Sequence, residues 1–105
     1  MRMNLKVKTA PILWVLVLLP VLLIGCAVAP PIQEMSDARQ AIKAAREANA
    51  VHNAPQSLRD AEAHMQKATE ELELGHYVEA REAAIAAKEQ AIRARDNAVR
   101  AEQSK

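Results

Sequence analysis

The sequence is poor in aromatic residues, in glycine and in cysteine. Its 105 residues include no phenylalanine, one tryptophan, one tyrosine, one cysteine and two glycines. Trp14 lies in an N-terminal apolar stretch, so Tyr77 is the sole aromatic side chain of the remaining chain. This argues against a platform on which bases or sugars stack. The single cysteine, Cys26, cannot form an internal disulfide.

Positive and negative charges are nearly balanced. The chain has 14 basic and 13 acidic residues, and three of the basic ones, Arg2, Lys6 and Lys8, precede the apolar stretch. Without this N-terminal part, 11 basic and 13 acidic residues give a formal charge of −2. A nucleic-acid-binding face needs clustered lysine and arginine. Nucleic acid is therefore not expected as a partner.

Residues 1–25 have the pattern of a secretory signal peptide. A basic segment, residues 1–9, precedes an apolar run from residue 10 to residue 24 that is interrupted only by Pro11 and Pro20. A membrane-spanning helix needs about 20 apolar residues, and this run is shorter. We therefore predict that residues 1–25 form a signal peptide that is removed on export.

The apolar run ends in Leu23-Ile24-Gly25-Cys26, which resembles the lipobox of bacterial lipoproteins. In that motif a small residue precedes the cleaved bond, and the cysteine thiol accepts the lipid. The resemblance implies cleavage between Gly25 and Cys26, and acyl chains on Cys26 that anchor the mature protein in a membrane. The alternatives are a buried free cysteine, or an ordinary signal peptide cleaved near Ala27 or Ala29.

The same resemblance bears on location. In Gram-negative lipoproteins an aspartate after the cysteine commonly signals retention in the inner membrane, and Ala27 stands at that position here. This implies a cell-envelope protein on the periplasmic side of the outer membrane. Residues 26–31 would form the lipidated N-terminus and a short linker.

From residue 32 onward, apolar residues recur at spacings of three and four, which is typical of amphipathic helices. Pro55 and Gly75 divide this region into three segments, because proline suits the first turn of a helix and glycine suits the position after its end. We predict helices over residues 33–53, 56–74 and 76–103. The expected apolar stripes are Met35, Ala38, Ile42, Ala45, Asn49 and His52 in the first segment, and Leu58, Ala61, Met65, Ala68 and Leu72 in the second.

These patterns predict an all-α domain over residues 32–105, with no strand. Residues 26–105 contain 21 alanines, which bury little area, so close helix approach must stabilise the fold. We expect an alanine-rich helical hairpin around Gly75 or a three-helix, coiled-coil-like arrangement. The first segment is either packed on this hairpin or loosely attached to it.

The third segment carries two rows of small and apolar residues on different sides. One row begins at Tyr77 and continues with alanines at spacings of three and four. The other consists of Val78, Ile85, Ile92 and Val99, which repeat every seven residues. Two rows imply two contacts, one inside the domain and one with the first segment, a second copy of the chain or an envelope protein. The candidate interface residues are Tyr77, Val78, Ile85, Ile92 and Val99.

Residues 53–101 resemble a bacterial family catalogued as domain of unknown function 4398. The resemblance rests on Ala54-Pro55, Leu58, Ala61, Leu72, Gly75-His76-Tyr77 and Ala80, followed by alanines at helical spacing. Members of that family are small exported proteins, often lipoproteins, and some carry a peptidoglycan-binding domain that this chain lacks. His76 stands where an acidic residue is common in the family.

The sequence shows no catalytic pattern. His52, His64 and His76 are spaced at twelve residues, which corresponds to a rotation of about 120° on a helix, so they predict no shared metal-binding face. No serine or cysteine has a plausible base beside it, and no glycine-rich phosphate loop occurs. We predict a protein that is not an enzyme and needs neither a metal nor a cofactor.

Two functions fit this sequence. The first is an outer-membrane lipoprotein whose helical domain serves as a structural or protein-interaction module in the cell envelope. The alternative is a tether like the murein lipoprotein, attached to peptidoglycan through Lys105. Pro55 and Gly75 argue against the tether, because they interrupt the continuous helix that it needs.

Overall fold

The part of the chain that the structure describes is entirely helical. The computed structural model describes residues 29–105, which hold four helices and no strand. The predicted all-α class is therefore confirmed for this part of the chain. The helices are α1, Ile32–Glu47; α2, Ala50–Asn53; α3, Pro55–Glu73; and α4, Tyr77–Gln103.

The first predicted segment is interrupted between α1 and α2. The backbone of Asn49 has a φ of 64°, in the left-handed region. Asparagine adopts this conformation more readily than most residues that carry a side chain. The interruption also changes which residues are buried, because Ala50 is buried while Asn49 and His52 are exposed. The expected stripe of the first segment therefore reaches the core only from Met35 to Ala45.

Helix α3 begins at Pro55, whose missing N–H would have had no partner within the first helical turn. Ala54 precedes it with a φ of −149° and a ψ of 53°, outside the helical region that the proline ring disfavours for the preceding residue. The carbonyl of Ala54 accepts a hydrogen bond from the backbone N–H of Leu58, at 3.2 Å. A single residue therefore connects α2 to α3.

Gly75 ends the last turn of α3 and redirects the chain into α4. Its φ is 78°, and its backbone N–H donates to the carbonyl of Leu72 at 3.0 Å. The N–H of His76 donates to the carbonyl of Glu71 at 2.9 Å, which completes a Schellman motif. The side chains of the same two residues also meet, with His76 Nδ1 2.8 Å from Glu71 Oε2.

Replacing Gly75 by valine is expected to lower the free energy of unfolding by about 1 kcal/mol or more. A Cβ built on Gly75 meets no atom within 4 Å, so the cost comes from the left-handed backbone and not from a clash. Gly75→Asn is the matched control, because asparagine tolerates this conformation and should cost less. Thermal unfolding followed by circular dichroism measures both variants. Equal melting temperatures for wild type and Gly75→Val would argue against the left-handed turn.

Alanine provides most of the core, and α4 contributes the largest share of it. α4 contacts both α1 and α3. One cluster of buried residues comprises Ile42, Ala45, Ala50, Ala54, Leu58, Ala61, Ala91, Ala94 and Ala98. A second comprises Met35, Ala68, Ala83 and Ala84. Because a methyl group occupies little space, the backbones of these helices can approach closely.

Candidate interaction surfaces

The predicted site residues fall into three groups. Gly25 and Cys26, the predicted cleavage and lipidation site, lie outside the described residues, 29–105. Pro55 and Gly75 lie at the two connections that flank α3. The five candidate interface residues all lie on α4.

The two rows of α4 have different surroundings. Seven alanines of α4 are buried: Ala80, Ala83, Ala84, Ala87, Ala91, Ala94 and Ala98. Val78, Ile85, Ile92 and Val99, here called the Ile/Val row, remain exposed, with 39–62% of each residue's surface accessible. Tyr77, at the start of the helix, is half-buried. The Ile/Val row thus has no partner within the described part of the chain.

The first segment packs on the alanine side of α4. Ile42 and Ala45 of α1 share a cluster with Ala91 and Ala94, and Met35 lies in the cluster that contains Ala83 and Ala84. Contact with α1 therefore leaves the Ile/Val row exposed. Of the partners that the sequence left open for this row, the first segment is not the one that covers it.

Charged side chains flank the Ile/Val row on both sides. At 100° per residue, Arg81, Lys88 and Arg95 lie 40–60° to one side of the row. We call these the basic row. The acidic row lies at the same angle on the other side and consists of Glu82, Glu89 and Asp96.

At one end of α4, Arg81 holds the start of α1. Its Nε donates to Glu34 Oε1 at 3.0 Å, and a second guanidinium nitrogen donates to the carbonyl of Ala29 at 3.1 Å. A backbone hydrogen bond at Glu34 and the Arg81 guanidinium hold the pKa of Glu34 below its usual value. Because the folded pKa is lowered, these interactions of the Glu34 carboxylate favour the fold at neutral pH and are lost as the pH falls through that value.

At the opposite end of α4, Glu102 joins it to α2. The side-chain amide of Asn53 donates to Glu102 Oε1 at 2.6 Å, and Lys105 Nζ lies 3.4 Å from the same oxygen. The Asn53 hydrogen bond and then Lys105 lower the pKa of Glu102. Lys105, the attachment residue of the alternative tether function, is exposed at this end.

A shallow depression of about 470 Å³ lies between α1 and α3. Ile42 and Met65 contribute its apolar part, and Arg39 and Lys43 lie on the α1 side. Arg46 and Glu62 close one part of it by pairing with each other.

The described residues provide no metal site and no membrane span. In residues 29–105, no three histidine, cysteine, aspartate or glutamate side chains are placed to hold a metal ion. None of the four helices is both long and apolar enough to cross a membrane.

Comparison with known proteins identifies no similar protein. No protein family, no curated protein and no solved structure matches the chain. The resemblance of residues 53–101 to domain of unknown function 4398 stays a prediction.

Three polar contacts between helices were not anticipated from the sequence. They are Arg81 with Glu34, Arg46 with Glu62, and Asn53 with Glu102. Their partners are 16 to 49 residues apart, and each side chain alone resembles an ordinary solvated residue. To predict these contacts, one must know how far each helix is shifted along its axis relative to its neighbour. The spacing of apolar residues does not define that shift.

Proposed function

We propose that the protein is an outer-membrane lipoprotein, anchored through acylated Cys26, whose helical domain acts as a structural or interaction module in the cell envelope. We infer the anchor from the tetrapeptide Leu23-Ile24-Gly25-Cys26, which ends an apolar run. The exposed Ile/Val row of α4 supports the interaction role, because an apolar row rimmed by charge is typical of a contact surface.

The contact between Arg81 and the Ala29 carbonyl supports an anchor at one particular end of the helices. Cys26 precedes Ala29 by three residues, which span at most about 11 Å. Acyl chains on Cys26 would therefore enter the membrane near the first turn of α4. Two exposed apolar residues lie at this same end: Ile32 at the start of α1 and Leu74 at the end of α3.

For the arrangement of the helices, we propose that α1 and α4 run in the same direction and that α3, which lies between them in the sequence, runs in the opposite direction. Two pairs of contacts support it. Glu34 meets Arg81 at one end, and Asn53 meets Glu102 at the other. The shared clusters of α1, α3 and α4 favour this arrangement over an isolated hairpin with a loosely attached first segment.

The anchor is tested by replacing Cys26 with alanine in a bacterium that expresses the chain. Labelled palmitate should enter the wild-type protein and should be absent from Cys26→Ala, which should also leave the membrane fraction. The matched control is Ser36→Ala, an ordinary polar position on α1 that should keep label and membrane retention. Equal labelling of the Cys26→Ala variant would refute lipidation at this residue.

A tether to peptidoglycan through Lys105 is the second candidate. One observation favours it: Lys105 is exposed two residues past the end of α4 that lies opposite the Ala29 contact, and the helix from Arg81 to Gln103 is about 33 Å long. Digestion of purified sacculi with lysozyme separates the two functions. Protein that resists boiling detergent and is released only by lysozyme would indicate the tether, and Lys105→Arg should then abolish that attachment.

A further inference from the structure

We propose that two copies of the chain pair through the Ile/Val row of α4, with their α4 helices parallel. The pairing goes beyond the proposed anchor and interaction role and rests on the surface of α4 alone. Its starting point is that neither α1 nor α3 covers the row. The row spans residues 78–99, about 32 Å of helix, and repeats every seven residues without interruption.

A seven-residue repeat keeps one face of a helix against a neighbouring helix in a coiled coil. The Ile/Val row supplies one apolar residue per repeat, and the charged rows on both sides of it make the rest of the contact surface. Around the exposed face of α4, the basic row, the Ile/Val row and the acidic row lie side by side in that order along the helix. In residues 29–105, none of the side chains of Lys88, Arg95, Glu89 and Asp96 forms an ion pair. These charges are available to a partner.

The order of the rows determines the orientation of the pair. In two parallel helices, the flank on one side of the contact faces the opposite flank of the partner, whereas in antiparallel helices identical flanks meet. A parallel pair therefore sets the basic row of each copy against the acidic row of the other. An antiparallel pair sets lysine and arginine against lysine and arginine, which is repulsive.

The parallel register also matches in height. Lys88 and Glu89 differ by one residue, as do Arg95 and Asp96, so partners lie within about 1.5 Å along the axis. A second copy thus supplies an apolar row that covers the Ile/Val row, and charges of opposite sign beside both charged rows. A lipid surface does not, because helices that lie on membranes carry lysine and arginine on their polar face and this face has a complete acidic row.

Cysteine cross-linking in the full-length chain tests the pairing. Val78→Cys and Val99→Cys are made separately, and membranes are treated with a short bifunctional maleimide. In a parallel pair each variant cross-links to itself. In an antiparallel pair the like cysteines would be about 32 Å apart, so cross-linking would require mixing of the two variants.

Two controls define the background. Ala63→Cys places an exposed thiol on α3, away from the row, and should give no more than collisional cross-linking. The parent chain reports any reaction of Cys26, so a failed lipid anchor is recognised separately from a failed pair. The proposal is overturned if neither row variant exceeds Ala63→Cys, if only mixed variants react, or if all adducts contain a different protein.

Charge reversal tests the orientation argument on the same cross-link. Changing Lys88 and Arg95 to glutamate should weaken association roughly tenfold, and changing Glu89 and Asp96 to lysine should do the same. All four changes together restore opposite charges across the pair and should restore cross-linking. Lys67→Glu, at an exposed position on α3 away from both rows, is the control and should have no effect. Insensitivity of the cross-link to both reversals would overturn the charge-matched pair.

Discussion

Replacing Leu58 by alanine is expected to lower the free energy of unfolding by about 2–5 kcal/mol. Leu58 is 5% exposed and is one of the few large side chains in a core made mainly of alanine. Truncation leaves a space that neighbouring methyl groups cannot fill. Since small domains are stable by only about 5–15 kcal/mol, the loss is a large fraction of the total. The melting temperature should fall by roughly 10 °C or more.

The chain contains a matched control for this substitution. Leu74 is 66% exposed at the end of α3, and Leu74→Ala removes the same atoms from a position in water. We expect a change within about 0.5 kcal/mol. Circular dichroism during thermal unfolding compares the two variants directly. Similar destabilisation by both would contradict the burial of Leu58 between α3 and α4.

Replacing Ala91 by leucine is expected to destabilise the protein by at least about 1–3 kcal/mol. Ala91 is fully buried in α4 and belongs to the cluster that includes residues of α1 and α3. A larger side chain at this position must separate helices whose contact depends on methyl groups. Neighbouring alanines then lose contact as well, so the effect extends beyond one residue.

Ala63→Leu provides the comparison, because Ala63 lies on the exposed side of α3. Leucine is nearly as favourable as alanine in a helix, so this variant should unfold close to the wild type. Unfolding by heat and by urea measures both. A stable, fully helical Ala91→Leu protein would indicate that α4 does not pack closely against its neighbours.

The sequence predicts the parts of this fold that depend on local pattern. The three-four spacing of Ala80, Ala84, Ala87 and Ala91 predicts a helix with one buried side, and these residues are buried in α4. Pro55 and Gly75 predict the two connections that flank α3. The proline ring fixes the backbone φ angle and removes the N–H, and glycine can adopt a positive φ angle.

The parts that were missed depend on the register between helices or on a weak local signal. Asn49 interrupts the first segment without any proline or glycine nearby, and asparagine occurs often enough in helices that it does not by itself predict a break. The pairing of Arg81 with Glu34 and with the Ala29 carbonyl requires knowing that α1 and α4 begin side by side. Periodicity defines the buried side of each helix but not the axial position of its neighbour.

The alanine interior of α4 also affects how the stability of this domain changes with temperature. The heat-capacity increase on unfolding grows with the apolar surface that becomes exposed, and each buried alanine exposes only a methyl group. The increase per residue should therefore lie below the usual value of about 12–15 cal/mol/K. Because this quantity sets the curvature of the free energy of unfolding against temperature, the stability of the domain should change less steeply with temperature, on cooling as well as on heating.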